Sequence, residues 1–177
     1  MLEGRLVGLE PLEPDGITDD YVSWFNDPET FRYLGTKFGQ TRGSVRKYVE
    51  SIQPPNFISR IIQKSDRTYV GNIALHEFDA MNRRMEVGIV IGPPEARGKG
   101  LGREACSLVI AFGFDHLNLH KITAGTVAGN VGMSKVFESL GFTLEGTLAE
   151  HFYLEGRYHD VYRFGLLRER FRPAGVE

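Results

Sequence analysis

A glycine-rich, basic stretch at 93–106, PPEARGKGLGREAC, constrains this chain more than any other segment. It follows an aliphatic run and precedes apolar residues spaced as on one face of a helix. Glycines at the start of a helix let the backbone approach an anion closely, and the unpaired amide groups there attract it. Arg97, Lys99 and Arg103 add positive charge at the same place. The pattern predicts a cradle for a diphosphate, and therefore a nucleotide-type cofactor.

Hydrophobic periodicity places this stretch in the middle of a mixed fold. Alternating or β-branched segments predict strands at 5–12, 56–63, 68–78, 83–92, 121–130, 142–154 and 158–167. Helical spacing predicts one or two short helices within 17–34, and further helices at 41–52, 100–118 and 132–142. Short polar turns join most strands, so the sheet is expected to be largely antiparallel around one central strand–helix–strand unit. The length suits a single domain over 1–177.

Charge and composition exclude several classes of partner. A formal net charge of −2 and a pI near 6.2 give no overall positive field for nucleic acid or anionic lipid. No segment is apolar for long enough to span a bilayer, and MLEGRLVGLE carries charges where a signal peptide is apolar. Cys106 is the only cysteine, which excludes an internal disulfide, and no third ligand is spaced for a metal with His116 and His120. We expect a cytoplasmic protein without a metal, a membrane partner or a nucleic-acid partner.

The spacing within the basic stretch separates three cofactor motifs. A P-loop needs Ser or Thr directly after its lysine, but Gly100 follows Lys99, which disfavours nucleoside triphosphate hydrolysis. A dinucleotide fingerprint would need an acidic residue at the end of the next strand, and KITAGTVAGN supplies none. The remaining motif is Arg-x-x-Gly-x-Gly, formed by Arg97, Gly100 and Gly102.

With these three residues in the motif positions, the sequence resembles the GNAT superfamily of acetyl-CoA-dependent N-acetyltransferases. The segments GNIALHEF, MEVGIVIG, KITAGTVAGN and NVGMSKVFESLGF lie in the family's order, and the resemblance runs from about residue 4 to 168. Both ends of the chain resemble a branch that contains ribosomal-protein N-terminal acetyltransferases and acetylases of nucleotide-linked amino sugars. The resemblance implies an α/β (α+β) fold with a mostly antiparallel sheet of about seven strands, helices on both faces, and a splayed fourth and fifth strand, 85–92 and 121–128.

The resemblance also implies where acetyl-CoA lies. Its pantetheine arm would run between the splayed strands, bonded to the backbone of the fourth strand, and its diphosphate would rest on the basic loop. The expected coenzyme-binding residues are Ile89, Val90, Ile91, Arg97, Gly98, Lys99, Gly100, Leu101, Gly102, Arg103, Asn130, Ser134 and Phe137. Asn130 is equally suited to cap the helix that follows it.

Acetyl transfer to an amine needs a base and a donor for the developing oxyanion. Glu86 is the candidate base, because it stands among aliphatic residues at a distance from Arg97 similar to that of the catalytic glutamate of histone acetyltransferases. Its alternative role is a strand-edge carboxylate paired with Arg83 or Arg84. His76 is the second candidate, and we expect it to line the substrate pocket instead.

The proton donor to the departing thiolate is less well defined. Many similar enzymes carry a Tyr where this chain has Phe137, and the ribosomal-protein enzymes carry a Ser where it has Met133, one residue before Ser134. A glutamate of those enzymes is also replaced by Phe152, which counts against a protein substrate. The remaining catalytic candidates are Ser134, Tyr153, Tyr158, His151 and water.

The acceptor side is predicted from aromatic and polar residues. Trp24, Tyr33 and Phe38 suit either a wall over a sugar or base, or the core. Asn26 suits either acceptor recognition or a turn, and the remaining substrate-binding candidates are His76 and His151. The sequence therefore predicts transfer of acetyl to a primary amine of a small molecule, such as a nucleotide-linked amino sugar. The alternatives are a protein N-terminal acetyltransferase and a non-catalytic acyl-CoA-binding module. A closing hairpin pairs across a dimer in similar proteins, so a homodimer is compatible with this interpretation.

Overall fold

The computed structural model describes residues 1–34 and 39–174. Within them, eight strands form one sheet: β1 (Leu2–Glu3), β2 (Val7–Pro11), β3 (Phe57–Gln63), β4 (Tyr69–Asp79), β5 (Arg84–Ile91), β6 (Lys121–Val127), β7 (Thr143–Leu154) and β8 (Arg157–Leu167). The α-helices of the described residues are α1 (Asp19–Trp24), α2 (Pro28–Phe31), α3 (Arg42–Ser51), α4 (Leu101–Asp115) and α5 (Val131–Ser139). None of these helices is long and apolar enough to cross a membrane.

The strand order is β1-β2-β3-β4-β5-β6-β8-β7, and every neighbouring pair is antiparallel except β5 and β6. This confirms the predicted mixed α/β fold with one strand–helix–strand unit, which is β5-α4-β6. The additional strand β1 is only two residues long and pairs with Gly8 and Leu9 of β2. A strand of that length leaves no periodic pattern in a sequence.

The two parallel strands separate along their length, as expected. They pair only at Arg84–Lys121, Met85–Ile122 and Glu86–Thr123. Beyond that point β5 stays paired with β4 as far as Ile91, while β6 stays paired with β8 as far as Val127. The sheet therefore holds a V-shaped gap whose apex lies at Glu86 and whose walls are each supported by a neighbouring strand.

Helices cover the sheet on both faces, which gives β5 and its neighbours two apolar cores. On one face α4 packs through Ala105 and Val109 against the core that contains Met85 and Val87. On the opposite face α1 and α3 form a second cluster with residues such as Ala74 of β4. The hairpin differs, because nearly every residue of β7 is exposed. The central strands are thus held from both sides, and the edge hairpin is not.

A carboxylate on α4 anchors the beginning of the chain. Glu104 accepts hydrogen bonds from the backbone N–H groups of Arg5 (3.1 Å), Leu6 (2.7 Å) and Val7 (2.8 Å). Gly4 leaves room for this carboxylate, since a Cβ there would displace it. The turn between β1 and β2 is therefore fastened to the first turn of α4.

Cys106 lies on the buried face of α4. Its side chain is fully buried, and burial raises the pKa of its thiol to about 12. A thiol in this environment stays protonated at neutral pH, so Cys106 acts as a small core residue.

Candidate functional site

The gap between β5 and β6 opens into a cleft of about 720 Å³. Its walls come from β5, the loop before α4, the start of α4, β6, α5 and the segment that contains α2. The lining residues are 29–30, 32–34, 87–91, 96–98, 100–103, 125–126, 130, 132–133, 135–137 and 139. The expected coenzyme-binding residues thus share one cleft, apart from Lys99 and Ser134.

The wall formed by β5 presents a backbone edge. Beyond Glu86, β4 occupies one edge of β5, and among the described residues no strand pairs with the other. The backbone groups of 87–91 that face the cleft can therefore hydrogen-bond an extended ligand with amides of its own, as an added strand would. This fits the arm of the coenzyme.

The loop before α4 adopts the conformation that its glycines allow. Gly98 and Gly100 have φ values of 72° and 81°, in the left-handed region. The first bond inside α4 runs from the N–H of Glu104 to the carbonyl of Gly100 (3.0 Å), so the three amides before it have no partner within the helix. Gly100 as N-cap also offers no side chain to them. An anionic group such as a diphosphate fits this uncapped helix start.

The basic side chains of the loop play different roles. Arg97 turns away from the helix start: its Nη2 donates to the hydroxyl of Thr30 (2.7 Å) and the carbonyl of Gly92 (2.8 Å), and its Nε to the carbonyl of Ile91 (3.3 Å). Its backbone N–H donates to the carbonyl of Pro94 (3.1 Å). Arg97 lines the cleft, as expected of a coenzyme-binding residue, but its guanidinium is held by these protein partners in this structure.

The other two basic residues remain beside the helix start. Lys99 is exposed on the loop. Arg103 lines the cleft and donates from its Nε to the hydroxyl of Ser139 (3.0 Å), which links α4 to α5. Their charges are available next to the amides of α4.

The start of α5 supplies the opposite wall. Asn130 caps this helix, because its Oδ1 accepts from the N–H of Met133 (3.1 Å), and it also lines the cleft. Phe137 is 2% exposed and packs with Phe142 and Phe164, at ring distances of 5.1 and 5.5 Å. Phe137 therefore belongs to the core and reaches the cleft only as part of its floor.

Ser134 is placed differently from the expectation. Its hydroxyl donates to the carbonyl of Asn130 (3.3 Å) in the preceding turn of the helix. Its neighbours Met133 and Lys135 line the cleft, whereas Ser134 does not. Ser134 therefore lies outside the lining of the cleft, between two residues that belong to it.

Glu86 lies at the apex of the V, one residue before Val87, the first cleft-lining residue of β5, and is not itself part of the lining. It is only 16% exposed and forms a two-pronged ion pair with Arg163 of β8. Oε1 accepts from Nη1 at 3.1 Å, and Oε2 accepts a shorter bond from Nη2. This pair raises the pKa of Arg163. Of the two alternative partners, Arg84 pairs with Asp79 (3.1 Å) instead.

The ion pair crosses β6 above a glycine. A Cβ added to Gly125 would lie 2.7 Å from Nη1 of Arg163 and 3.6 Å from Oε1 of Glu86. The sequence analysis missed Arg163. The only signal for it is that a basic residue pairs with this glycine, and that pairing is visible only once the strand register is known. Both the carboxylate and the guanidinium therefore lie over the point where the strands part.

His76 pairs with Glu86 in the register of β4 and β5. It is half-buried, and its Nε2 would lie 3.1 Å from a Cβ added to Gly88. His76 therefore stands beside the apex, on the same face of the sheet as Glu86.

The residues of the hairpin lie elsewhere. Tyr153 is 62% exposed and packs edge-on against Tyr158, at a ring distance of 5.1 Å. Tyr153 and His151 are both exposed, and neither lines the cleft. The expected roles of Tyr153 in proton donation and of His151 in substrate binding have no support in this placement.

Two acceptor-side candidates prove to be structural. Trp24 is 7% exposed and packs with Tyr69 at 5.0 Å in the second core, so it forms no wall of the cleft. The amide of Asn26 donates to the carbonyls of Val22 (3.2 Å) and Gln40 (2.8 Å), and its oxygen accepts from the N–H of Gly39 (3.1 Å). Asn26 therefore closes a loop, while Phe38 lies outside the described residues.

The remaining aromatic candidate, Tyr33, does line the cleft. Its ring lies beside Gly129, where an added Cβ would be 3.7 Å from Cε1. Arg32, which precedes it, pairs with Glu155 in the turn between β7 and β8 at 3.0 Å. The sequence offered no signal for this pair, which joins residues 123 positions apart. The segment 28–34 thus spans from the end of β5 to the end of β6 and reaches the hairpin.

Comparison with known proteins agrees with this geometry. A family model described as an acetyltransferase (GNAT) domain matches residues 7–143. The chain is 30% identical over 149 residues to spermidine N(1)-acetyltransferase of Vibrio cholerae serotype O1, covering 84% of this chain and 80% of that protein. It is 33% identical over 106 residues to the putative ribosomal N-acetyltransferase YdaF of Bacillus subtilis, covering 60% and 57%.

A solved structure shows the same fold. The crystal structure of spermidine N-acetyltransferase from Vibrio cholerae in complex with CoA and spermine superimposes with a TM-score of 0.84. The match covers 94% of this chain and 98% of that one at 24% sequence identity.

Proposed function

Since this chain belongs to the GNAT acetyltransferase family and is an N-acetyltransferase that uses acetyl-CoA, we propose that it acetylates a primary amine on a small molecule. We further propose that this amine belongs to a nucleotide-linked amino sugar. The observation that carries the proposal is the junction, in one cleft, of a free strand edge at 87–91 with an uncapped helix start at 101–103.

In this proposal the backbone holds the coenzyme. The amides at the start of α4 receive the diphosphate, with Lys99 and Arg103 beside them, and the edge of β5 receives the arm. Bound acetyl-CoA supplies an acetyl group activated as a thioester. The direction of the arm along β5 points its reactive end toward the apex of the V, where Glu86 lies.

Glu86 is the proposed base. Each carboxylate oxygen can accept more than one hydrogen bond, so the pair with Arg163 leaves Glu86 able to accept the proton of an incoming amine. Arg163 fixes the carboxylate in place and thereby favours a productive geometry. The hydroxyl of Ser134 donates to the carbonyl of Asn130, and Tyr153 is 62% exposed in the hairpin, so we propose that the departing thiolate takes its proton from water.

Arg32 is the observation that supports an anionic acceptor such as an amino-sugar nucleotide. Glu86 is paired with Arg163 and Glu155 with Arg32, and among the described residues Glu29 is the one acidic residue that lines the cleft. Arg32 lines the cleft and can exchange Glu155 for an anionic group of the acceptor. A polyamine is the second candidate, because a relative named spermidine N(1)-acetyltransferase covers most of the chain.

An acceptor panel tests the proposal. Release of the coenzyme thiol from acetyl-CoA is followed with amino-sugar nucleotides, spermidine and peptides with free N-termini. We expect the highest kcat/KM with an amino-sugar nucleotide. Preference for spermidine would assign the polyamine class, and preference for peptides would assign a protein N-terminal acetyltransferase, so either result overturns the proposed acceptor.

A homodimer and a cytoplasmic location belong to the same proposal. β7 is the exposed edge of the sheet and carries the exposed residues Leu144 and Leu148, so we propose that it pairs with a second copy. Light scattering after size-exclusion chromatography should give twice the mass of one chain for the wild type. Leu148→Lys should lower the measured mass toward that of one chain. A wild-type protein that elutes as a monomer at all concentrations would contradict the dimer.

A further inference from the structure

A buried polar network joins the coenzyme loop to the segment that borders the amine side. Thr30 of α2 is 7% exposed, and its hydroxyl accepts from Nη2 of Arg97 at 2.7 Å. The same hydroxyl donates to Oδ2 of Asp27 at 2.6 Å, and the N–H of Thr30 donates to that oxygen at 2.8 Å. The chain of contacts therefore runs from Arg97 through Thr30 to Asp27 without interruption.

The charges in this network reinforce one another. Hydrogen bonds from Thr30, together with the nearby Arg97, hold the pKa of the Asp27 carboxyl below its ordinary value. Thr30 thus lies between a carboxylate and a guanidinium, and its hydroxyl can donate to Asp27 (2.6 Å) or, at a longer distance, to the carbonyl of Gly92 (3.3 Å). Such a satisfied buried network favours one arrangement of the two segments that it joins.

The network also anchors the end of β5. Arg97 binds the carbonyls of Ile91 and Gly92, which are the last carbonyls of the strand wall. On the other side, Thr30 lies two and three residues before Arg32 and Tyr33, which line the cleft. A change in the loop conformation is therefore transmitted to segment 28–34 through a single hydroxyl.

We propose that Arg97 is a positioning residue that couples occupancy of the coenzyme loop to the amine-side segment 28–34 through Thr30, and is not a ligand of the diphosphate. The coupling rests on the proposed function only in calling segment 28–34 the amine side. It predicts that binding of the coenzyme orders this segment before the amine arrives. A phosphate ligand would instead have to leave its bonds to Thr30, Ile91 and Gly92.

Hydrogen exchange with and without coenzyme A tests the coupling and needs no amine. In the wild type, coenzyme A should slow amide exchange both at 98–103 and at 28–34. Thr30→Val keeps the shape of the side chain but removes the hydroxyl, so protection at 28–34 should be lost while protection at 98–103 remains. Thr30→Ser restores the hydroxyl and should restore the protection. Equal protection of 28–34 in wild type and Thr30→Val at saturating coenzyme would overturn the proposal.

Calorimetry with coenzyme A separates positioning from phosphate binding. Arg97→Gln and Thr30→Val should weaken binding to a similar and small extent, about two- to fivefold, and the double variant should be no weaker than the worse single variant. Lys47→Gln is the control for the loss of one positive charge, since Lys47 is exposed on α3 and does not line the cleft. Loss of affinity in Arg97→Gln alone, with a smaller salt dependence of binding, would show that Arg97 contacts the phosphates.

Turnover provides the remaining measurement. With acetyl-CoA and the preferred amine, both variants should raise the KM for the amine about fivefold. With S-acetylpantetheine, which lacks the diphosphate and leaves the loop empty, wild type and variants should have similar KM values for the amine. An effect of the same size with this shortened donor would contradict the coupling. If the wild type turns over no amine in the panel, the proposed function fails, but hydrogen exchange still decides whether the coupling exists.

Discussion

The two sides of the cleft are built differently. The coenzyme side consists of backbone: the free edge of β5, the left-handed glycines and the uncapped amides of α4. The amine side consists of side-chain pairs, Glu86 with Arg163 and Arg32 with Glu155, that join distant parts of the chain. Backbone contacts tolerate many side chains and suit a ligand that does not change. Side-chain pairs can be exchanged singly, so they are the part of the site where acceptor specificity can differ.

The largest effect should come from removing the proposed base. Glu86→Gln keeps the size and one acceptor oxygen of the side chain but cannot take a proton at neutral pH. We expect kcat to fall about 10²- to 10⁴-fold. Affinity for coenzyme A, measured by calorimetry, should stay within about twofold, because the coenzyme side is built from other groups. Glu77→Gln on the exposed part of β4 is the control. Turnover of Glu86→Gln at the wild-type rate would remove Glu86 from the mechanism.

A substitution that disrupts the coenzyme side should weaken binding of coenzyme A instead of lowering kcat. Gly100→Val places a β-branched residue where φ is 81°, so the loop must change shape and withdraw its amides. Calorimetry should show affinity for coenzyme A weakened about 100-fold, while the fold, followed by circular dichroism, persists. Gly146→Val, at a glycine of β7 that has open space around its Cα and lies outside the cleft, should retain the affinity. Undiminished binding by Gly100→Val would refute the cradle.

A glycine inside the sheet allows a smaller and more local test. Gly125→Ala adds a methyl group 2.7 Å from Nη1 of Arg163, so the pair with Glu86 must shift. We expect kcat to fall about tenfold with little change in coenzyme affinity. Gly146→Ala is the matched control, because Gly146 also faces Arg163 in the sheet register but has open space around its Cα. Equal rates for the two variants would show that the position of the pair is unimportant.

The smallest effect should come from the pair at the cleft entrance. Arg32 and Glu155 are about half exposed, so the pair itself contributes little to stability. Arg32→Glu should raise the KM for the amine about two- to fivefold, and adding Glu155→Arg should restore it in part. Steady-state kinetics at saturating acetyl-CoA gives the measurement. A change in affinity for coenzyme A without a change in the KM for the amine would contradict the assignment of Arg32 to the amine side of the cleft.

The difference between backbone contacts and side-chain pairs also explains which features could be predicted from the sequence. The strands, the V and the helix start depend on local patterns: periodicity, left-handed glycines and a side-chain cap at Asn130. The partners of Glu86, Arg97 and Glu104 lie 77, 67 and 97 to 99 positions away, and no local pattern connects residues so far apart. Contacts of this kind become visible only when the sheet is assembled.

Aromatic residues were ambiguous for a different reason. Trp24 and Tyr33 have similar spacing in the sequence, yet Trp24 packs against Gly92 in the second core and Tyr33 reaches the cleft. A buried ring and a ring that lines a pocket follow the same periodicity, because both face away from solvent. Only the position of Gly92 at the end of β5 makes room for the indole, and that position depends on the whole sheet.

The carboxylate of Glu104 gives the first residues of the chain an unexpected importance. Glu104 holds the turn after β1 and lies one residue after the amides of the coenzyme cradle. A force applied to the amino terminus is therefore transmitted to the diphosphate end of the site. A fusion partner or surface tether attached there would load the helix that grips the coenzyme.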